Sequence, residues 1–146
     1  MQISKIVFHV QRQTTMIQFD EKLQTKKITP ELIDYIVEKI VHEIQPEKII
    51  LYGSYARGDF HKDSDLDLFI LKDDNAPSRA LERKIDDLLT GRLFSLDIRV
   101  RKSSEVAWNF RAKNPFYLHH IFKQGRVLYD KNLRAPEATH WLADSC

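Results

Sequence analysis

The segment Lys48–Leu71, KIILYGSYARGDFHKDSDLDLFIL, holds two short apolar runs around a polar loop. Lys48 to Tyr52 (KIILY) has the length and branched composition of a buried strand, and Leu66 to Leu71 (LDLFIL) reads as a second. Gly53 to Ser64 is a loop with room for one short helical turn. A connection of about a dozen residues is short for a parallel crossover. The two strands are therefore expected to pair antiparallel, or within a mixed sheet.

Upstream, Thr29 is a good N-cap, Pro30 suits the first helical position and Glu31 favours the positive end of the helix dipole. Ile33, Ile36, Val37, Ile40, Val41 and Ile44 then form one apolar stripe, and Pro46 ends the helix. Downstream, Asp73-Asp74-Asn75-Ala76-Pro77 marks a turn. Leu81, Ile85, Leu88 and Leu89 make a second helix closed by Gly91. Ser95 to Val100 (SLDIRV) alternates and reads as a third strand. A helix around Val106 and Phe110 breaks at Asn114-Pro115. Phe116 to Lys123 forms another, capped by Gly125, and Arg126 to Tyr129 a short last strand. Strands interleaved with helices predict an α/β (α+β) fold, a small mixed sheet with helices packed mainly on one face. The organisation expected is an N-terminal extension (1–28), a domain (29–130) and a tail (131–146). Lys5 to Val10 reads as a short strand, Met16 offers a second start, and a turn is expected after Pro136.

The chemistry lies in the acids. Side chains alternate along a strand, so Asp65 and Asp67 point the same way, with Cα atoms ~7 Å apart. Leu66, Leu68 and Ile70 point the other way. Asp97 shares a face with Ser95 and Arg99, opposite Leu96, Ile98 and Val100. If the strands are neighbours, three carboxylates converge. Crowded carboxylates repel and raise one another's pKa unless positive charge sits among them. Magnesium answers that need with hard oxygen ligands and leaves positions open for phosphate oxygens. Two such ions can hold both the attacking and the leaving oxygen of a phosphoryl displacement. Gly53 and Ser54 follow a strand directly, and small residues there let a phosphate approach the backbone. Arg57 is placed to neutralise charge or to pin the loop. Gly53 and Gly58 have the glycine spacing of a P-loop, but Asp59-Phe60 stands where lysine and a hydroxyl residue are required.

Gly53-Ser54-Tyr55-Ala56-Arg57-Gly58 followed by Ser64-Asp65-Leu66-Asp67-Leu68 resembles the signature of the DNA polymerase beta-like nucleotidyltransferases. It looks especially like the minimal nucleotidyltransferases, often paired with an all-helical HEPN toxin as its antitoxin. The resemblance covers roughly residues 30–130, and the compound motif is far more specific than either half. It implies that Gly53 and Ser54 hold the triphosphate of ATP, and that Asp65 and Asp67 bind metal. It implies that Asp97 binds the catalytic metal and helps activate the acceptor hydroxyl. Some members transfer AMP to a tyrosine of the HEPN toxin and silence it. The alternatives are transfer to a small molecule of the aminoglycoside type, whose enzymes usually carry an additional helical domain, and an antitoxin that neutralises by binding alone. The shortness of the chain points to an acceptor supplied by another protein, in a homo- or hetero-oligomer.

Composition fits this. The 146 residues are 42% hydrophobic and 30% charged, which suits one folded domain. Lys+Arg 23 against Asp+Glu 21 leaves +2, a poor footprint for strong nucleic-acid binding. The one cysteine, Cys146, excludes an intrachain disulfide and points to the cytoplasm. No apolar run approaches ~20 residues, so no membrane span is expected. Asp63, Asp73 and Asp74 read as solvated turn residues. His119 and His120 are adjacent and so diverge around a helix. Trp108, Phe110, Phe116 and Tyr117 read as core or partner surface.

Overall fold

The structure is a computed structural model and describes residues 19–133. The Lys5–Val10 strand, Met16, the turn after Pro136 and Cys146 lie outside the described residues. Four strands form one sheet in the order β3-β2-β1-β4. These are β1 (Lys48–Tyr52), β2 (Leu66–Leu71), β3 (Leu96–Arg101) and β4 (Arg126–Asp130). β1 runs antiparallel to both β2 and β4, while β2 and β3 run parallel, so the sheet is mixed. The helices are α1 (Pro30–Ile44), a single-turn α2 (Ser54–Arg57), α3 (Ser78–Leu88), α4 (Ser103–Arg111) and a π-helix (Phe116–Lys123).

The start of α1 is set by Thr29, whose Oγ1 accepts the Leu32 N–H at 3.1 Å, with Pro30 at the first position. Gln45 closes the helix in the left-handed region, φ 53, and its N–H reaches the Val41 carbonyl. The apolar stripe is buried through Leu32, Ile33, Ile36, Val37, Ile40 and Ile44. It packs, with Leu81 and Ile85 of α3, on Ile49, Leu51, Leu66, Leu68, Ile70 and Val100 of the sheet. A smaller cluster, Tyr52, Phe69, Tyr117 and Ile121, covers part of the opposite face. Helices therefore pack mainly on one face, and the other face keeps an open end.

Some details differ from the sequence reading. Within the 1–28 stretch, Leu23 and Ile28 are buried in the main core, and Leu23 is carried by a 3₁₀ turn, Glu21–Leu23. Asp20 anchors that turn, accepting hydrogen bonds from the Tyr35 hydroxyl and, at 3.1 Å, from Lys39 Nζ. Asp73 has a structural partner: its carboxylate accepts the Ser103 N–H at 2.7 Å and the Ser103 hydroxyl at 2.6 Å, which ties the β2–α3 loop to the start of α4. The last helix is π-type, and the Gln124 N–H reaches the His119 carbonyl. Tyr117 and Ile121, four residues apart, both face inward. Trp108 and Phe110 are exposed, 62% and 48%, so they are surface and not core. Among the described residues no helix is long and apolar enough to cross a membrane.

Candidate active site

The sheet register aligns three polar side chains in one lateral row. Tyr52 of β1 is the partner of Asp67 on β2, and Asp67 is the partner of Asp97 on β3. Adjacent strands lie about 4.8 Å apart, so side chains in one row on one face are neighbours. Leu66 and Leu68 flank Asp67 in sequence and point into the main core, which leaves Asp67 on the opposite, open face. Asp65 stands two residues before it, exposed at the mouth. The trio thus comes from one loop end and two parallel strands. Asp67 is half-buried, whereas Asp65 is exposed.

Asp67 carries the electrostatic load. Burial first, then the charges of Asp97 and Asp65, push its carboxyl up to about 6; Arg99 and Arg57 pull it partly back. Tyr52 donates its hydroxyl to Asp97 Oδ2 at 3.2 Å, and Arg99 Nε lies 3.7 Å from the same oxygen. Burial and the Asp97 charge hold the Tyr52 hydroxyl protonated, well above its ordinary range. Phe116 braces both partners: its ring meets Tyr52 edge-on at 5.5 Å and sits under the Arg99 guanidinium at 4.8 Å. Sequence reading missed Tyr52 and gave Arg99 no role. Alternation puts Arg99 on the face of Asp97 two residues away, a signal the sequence carries, whereas Tyr52 meets Asp97 only through the order of the strands.

The loop completes the site. Gly53 has φ 77 and ψ −157, a conformation that only glycine adopts freely. A Cβ there would fall 2.1 Å from Asp67 Oδ2. The α2 turn opens at Ser54, half-buried beside this carboxylate row, where the first amides of a helix lack intrahelical acceptors. Arg57 is exposed and pairs with Asp59 at 3.2 Å, while its charge still reaches Asp67. Arg126 Nε donates to the Ala56 carbonyl at 3.1 Å and ties the turn to β4. His119 and His120 are exposed on the π-helix, and the His120 ring lies 5.8 Å from that of Phe116. Among the described residues, no group of three or more His, Cys, Asp or Glu side chains stands ready-made around a metal ion. The donor set nevertheless suits a hard divalent cation: all are carboxylate oxygens, one of them half-buried and pushed up by burial and by its acidic neighbours.

The sequence pattern agrees with a known family: residues 34–134 match the model described as polymerase beta, nucleotidyltransferase. The chain belongs to the polymerase beta nucleotidyltransferase family. It is 31% identical over 108 residues, 73% of this chain and 100% of the relative, to the putative protein adenylyltransferase MJ0604 of Methanocaldococcus jannaschii. Its fold is similar to the crystal structure of a putative nucleotidyltransferase from Sulfolobus solfataricus, with TM-score 0.51 and 16% identity over 81% of this chain and 95% of that one. A toxin-antitoxin structure with AMP-PNP gives TM-score 0.44 at 19% identity, over 77% of this chain and 82% of the other. The protein is a nucleotidyltransferase, with the fold read from its sequence.

Proposed function

We propose that this nucleotidyltransferase moves AMP from ATP to a hydroxyl of another protein, with magnesium bound by Asp65, Asp67 and Asp97. The acceptor in this reading is a tyrosine of a HEPN toxin, which the modification silences. The observation that carries the transfer chemistry is the lateral pairing of Asp67 and Asp97 beside Gly53. The named activity of the Methanocaldococcus relative supports a protein acceptor. A divalent cation at these carboxylates supplies positive charge to the phosphate oxygens and to the acceptor oxygen.

The chain's own residues do the positioning. Gly53 leaves room for a phosphate at the loop backbone, and Ser54 offers its amide and hydroxyl. Asp97, held by Tyr52 and Arg99, faces the acceptor hydroxyl and draws its proton. The acceptor oxygen forms a bond to the α-phosphorus, the bond from that phosphorus to the bridging oxygen breaks in line, and pyrophosphate leaves. Positioning and electrostatics account for most of such a rate enhancement. The test is incubation of the purified chain with α-labelled ATP, magnesium and its genomic-neighbour protein. Label on a tyrosine of that neighbour is expected. Label on an added aminoglycoside alone, or on nothing, overturns the reading.

A further inference from the structure

The loop that carries the active site has a second concavity on its other side. An open cleft of about 490 Å³ has a floor of Ile28, Tyr55 and Phe60 and a rim of Lys26, Lys27 and Lys62. The floor residues pack with the main core, on the α1 face of the sheet, whereas Asp67 and Asp97 point to the opposite face. Cleft and carboxylates therefore flank the segment 53–65 from two sides. Tyr55 is 3% exposed and its ring is stacked on Phe60 at 4.2 Å, so it has no face to offer a nucleobase. The floor is an apolar seat instead. No described acid forms an ion pair with the side chains of Lys26, Lys27 or Lys62. Among the described residues, Asp63 is the one acid on the lining. The rim thus holds excess positive charge around an apolar floor, while the catalytic face a few residues away is acidic.

We infer that this cleft seats an acidic segment of the acceptor protein, anchored by one large apolar side chain on the floor. The inference rests on the reading that the acceptor is a protein, and adds where that protein docks. Charge complementarity favours acid on the occupant, since lysines are strongly hydrated point charges that steer and orient a partner. Seating on one flank of the loop delivers a neighbouring hydroxyl to the other flank, where the carboxylates lie. The opposed charges of the two flanks also disfavour a reversed approach.

The test uses a fluorescein-labelled peptide, Glu-Asp-Glu-Leu-Phe-Glu-Asp-Glu, titrated with the full chain and followed by anisotropy. Binding that weakens as salt is raised is expected. Lys26→Glu with Lys27→Glu should weaken it by about tenfold or more, as should Lys62→Glu, while binding of ATP stays unchanged. With the neighbour protein as acceptor, the same variants should raise KM for that protein and leave kcat intact. Absence of peptide binding, equal binding by the variants, or tighter binding of a single-stranded RNA at the same lysines each overturns the inference. A chain that transfers label normally with its lysines reversed sinks the docking site alone; a chain that binds the peptide but transfers nothing sinks the catalytic reading alone.

Discussion

The carboxylate of Asp67 fills the space that a side chain at Gly53 would need, with Asp67 Oδ2 only 2.1 Å from where that Cβ would stand. Loop and strand are thus fitted to each other at one atom. The glycine is required twice, for this approach and for its φ of 77.

Gly53→Ala should push the Asp67 carboxylate out of its row. We expect transfer to fall by about 10²-fold, as misplacement by an ångström does. Stability should fall by ~1–3 kcal/mol from the strained backbone. Single-turnover label transfer and thermal melting read the two effects. Wild-type transfer by this variant would show that the fit at position 53 is irrelevant to chemistry.

Asp67→Asn should abolish transfer and stabilise the fold. The folded carboxyl sits near 6, against an ordinary value of 3.8. Its proton is thus held more tightly folded than unfolded. That favours the fold below about pH 4, and the advantage is lost as pH rises through about 6. Above pH 6 the ionised carboxylate opposes folding by on the order of 1–2 kcal/mol, after allowance for solvent screening at a half-exposed group. Asparagine removes that cost, so its melting temperature should exceed wild type at pH 8 and match it near pH 4. Melts across this range decide it.

Magnesium should reverse the same penalty. A cation held by these carboxylates would bind the folded state alone and contribute about 2.7 kcal/mol at a hundredfold excess over Kd. The melting temperature of wild type at pH 8 should rise with magnesium and return with EDTA. Asp67→Asn and Asp97→Asn should lose most of the increase. An equal rise in all three proteins would place the bound ion elsewhere.

Tyr52→Phe removes the hydroxyl bonded to Asp97 but keeps the ring against Phe116 and within the cluster of Phe69, Tyr117 and Ile121. The fold should survive with a loss of ~0.5–1.5 kcal/mol, while kcat falls by about tenfold. Arg99→Gln removes the second partner of Asp97 and should act on kcat similarly. Because both hold one carboxylate, their effects should not add, and the double variant should be little worse than either. Additive losses would mean that the two residues act separately.

The amino-acid sequence alone determined the local pieces and the faces. Thr29-Pro30 marked the start of α1, the stripe from Ile33 to Ile44 marked its buried side, and strict alternation set Asp67 and Asp97 opposite Leu66 and Ile98. These follow from short-range sterics and periodicity, which act within a few residues. The tertiary structure decided the rest. A period of two fixes a face but not a neighbour, so the row Tyr52–Asp67–Asp97 exists only because β2 lies between β1 and β3 in this register. Likewise, the burial of Leu23 and the Tyr52 hydrogen bond to Asp97 depend on contacts between segments far apart in the chain. Desolvation and charge repulsion are properties of that assembled neighbourhood, which is why the carboxyl near 6 belongs to the fold and could not be read from the letters Asp-Leu-Asp.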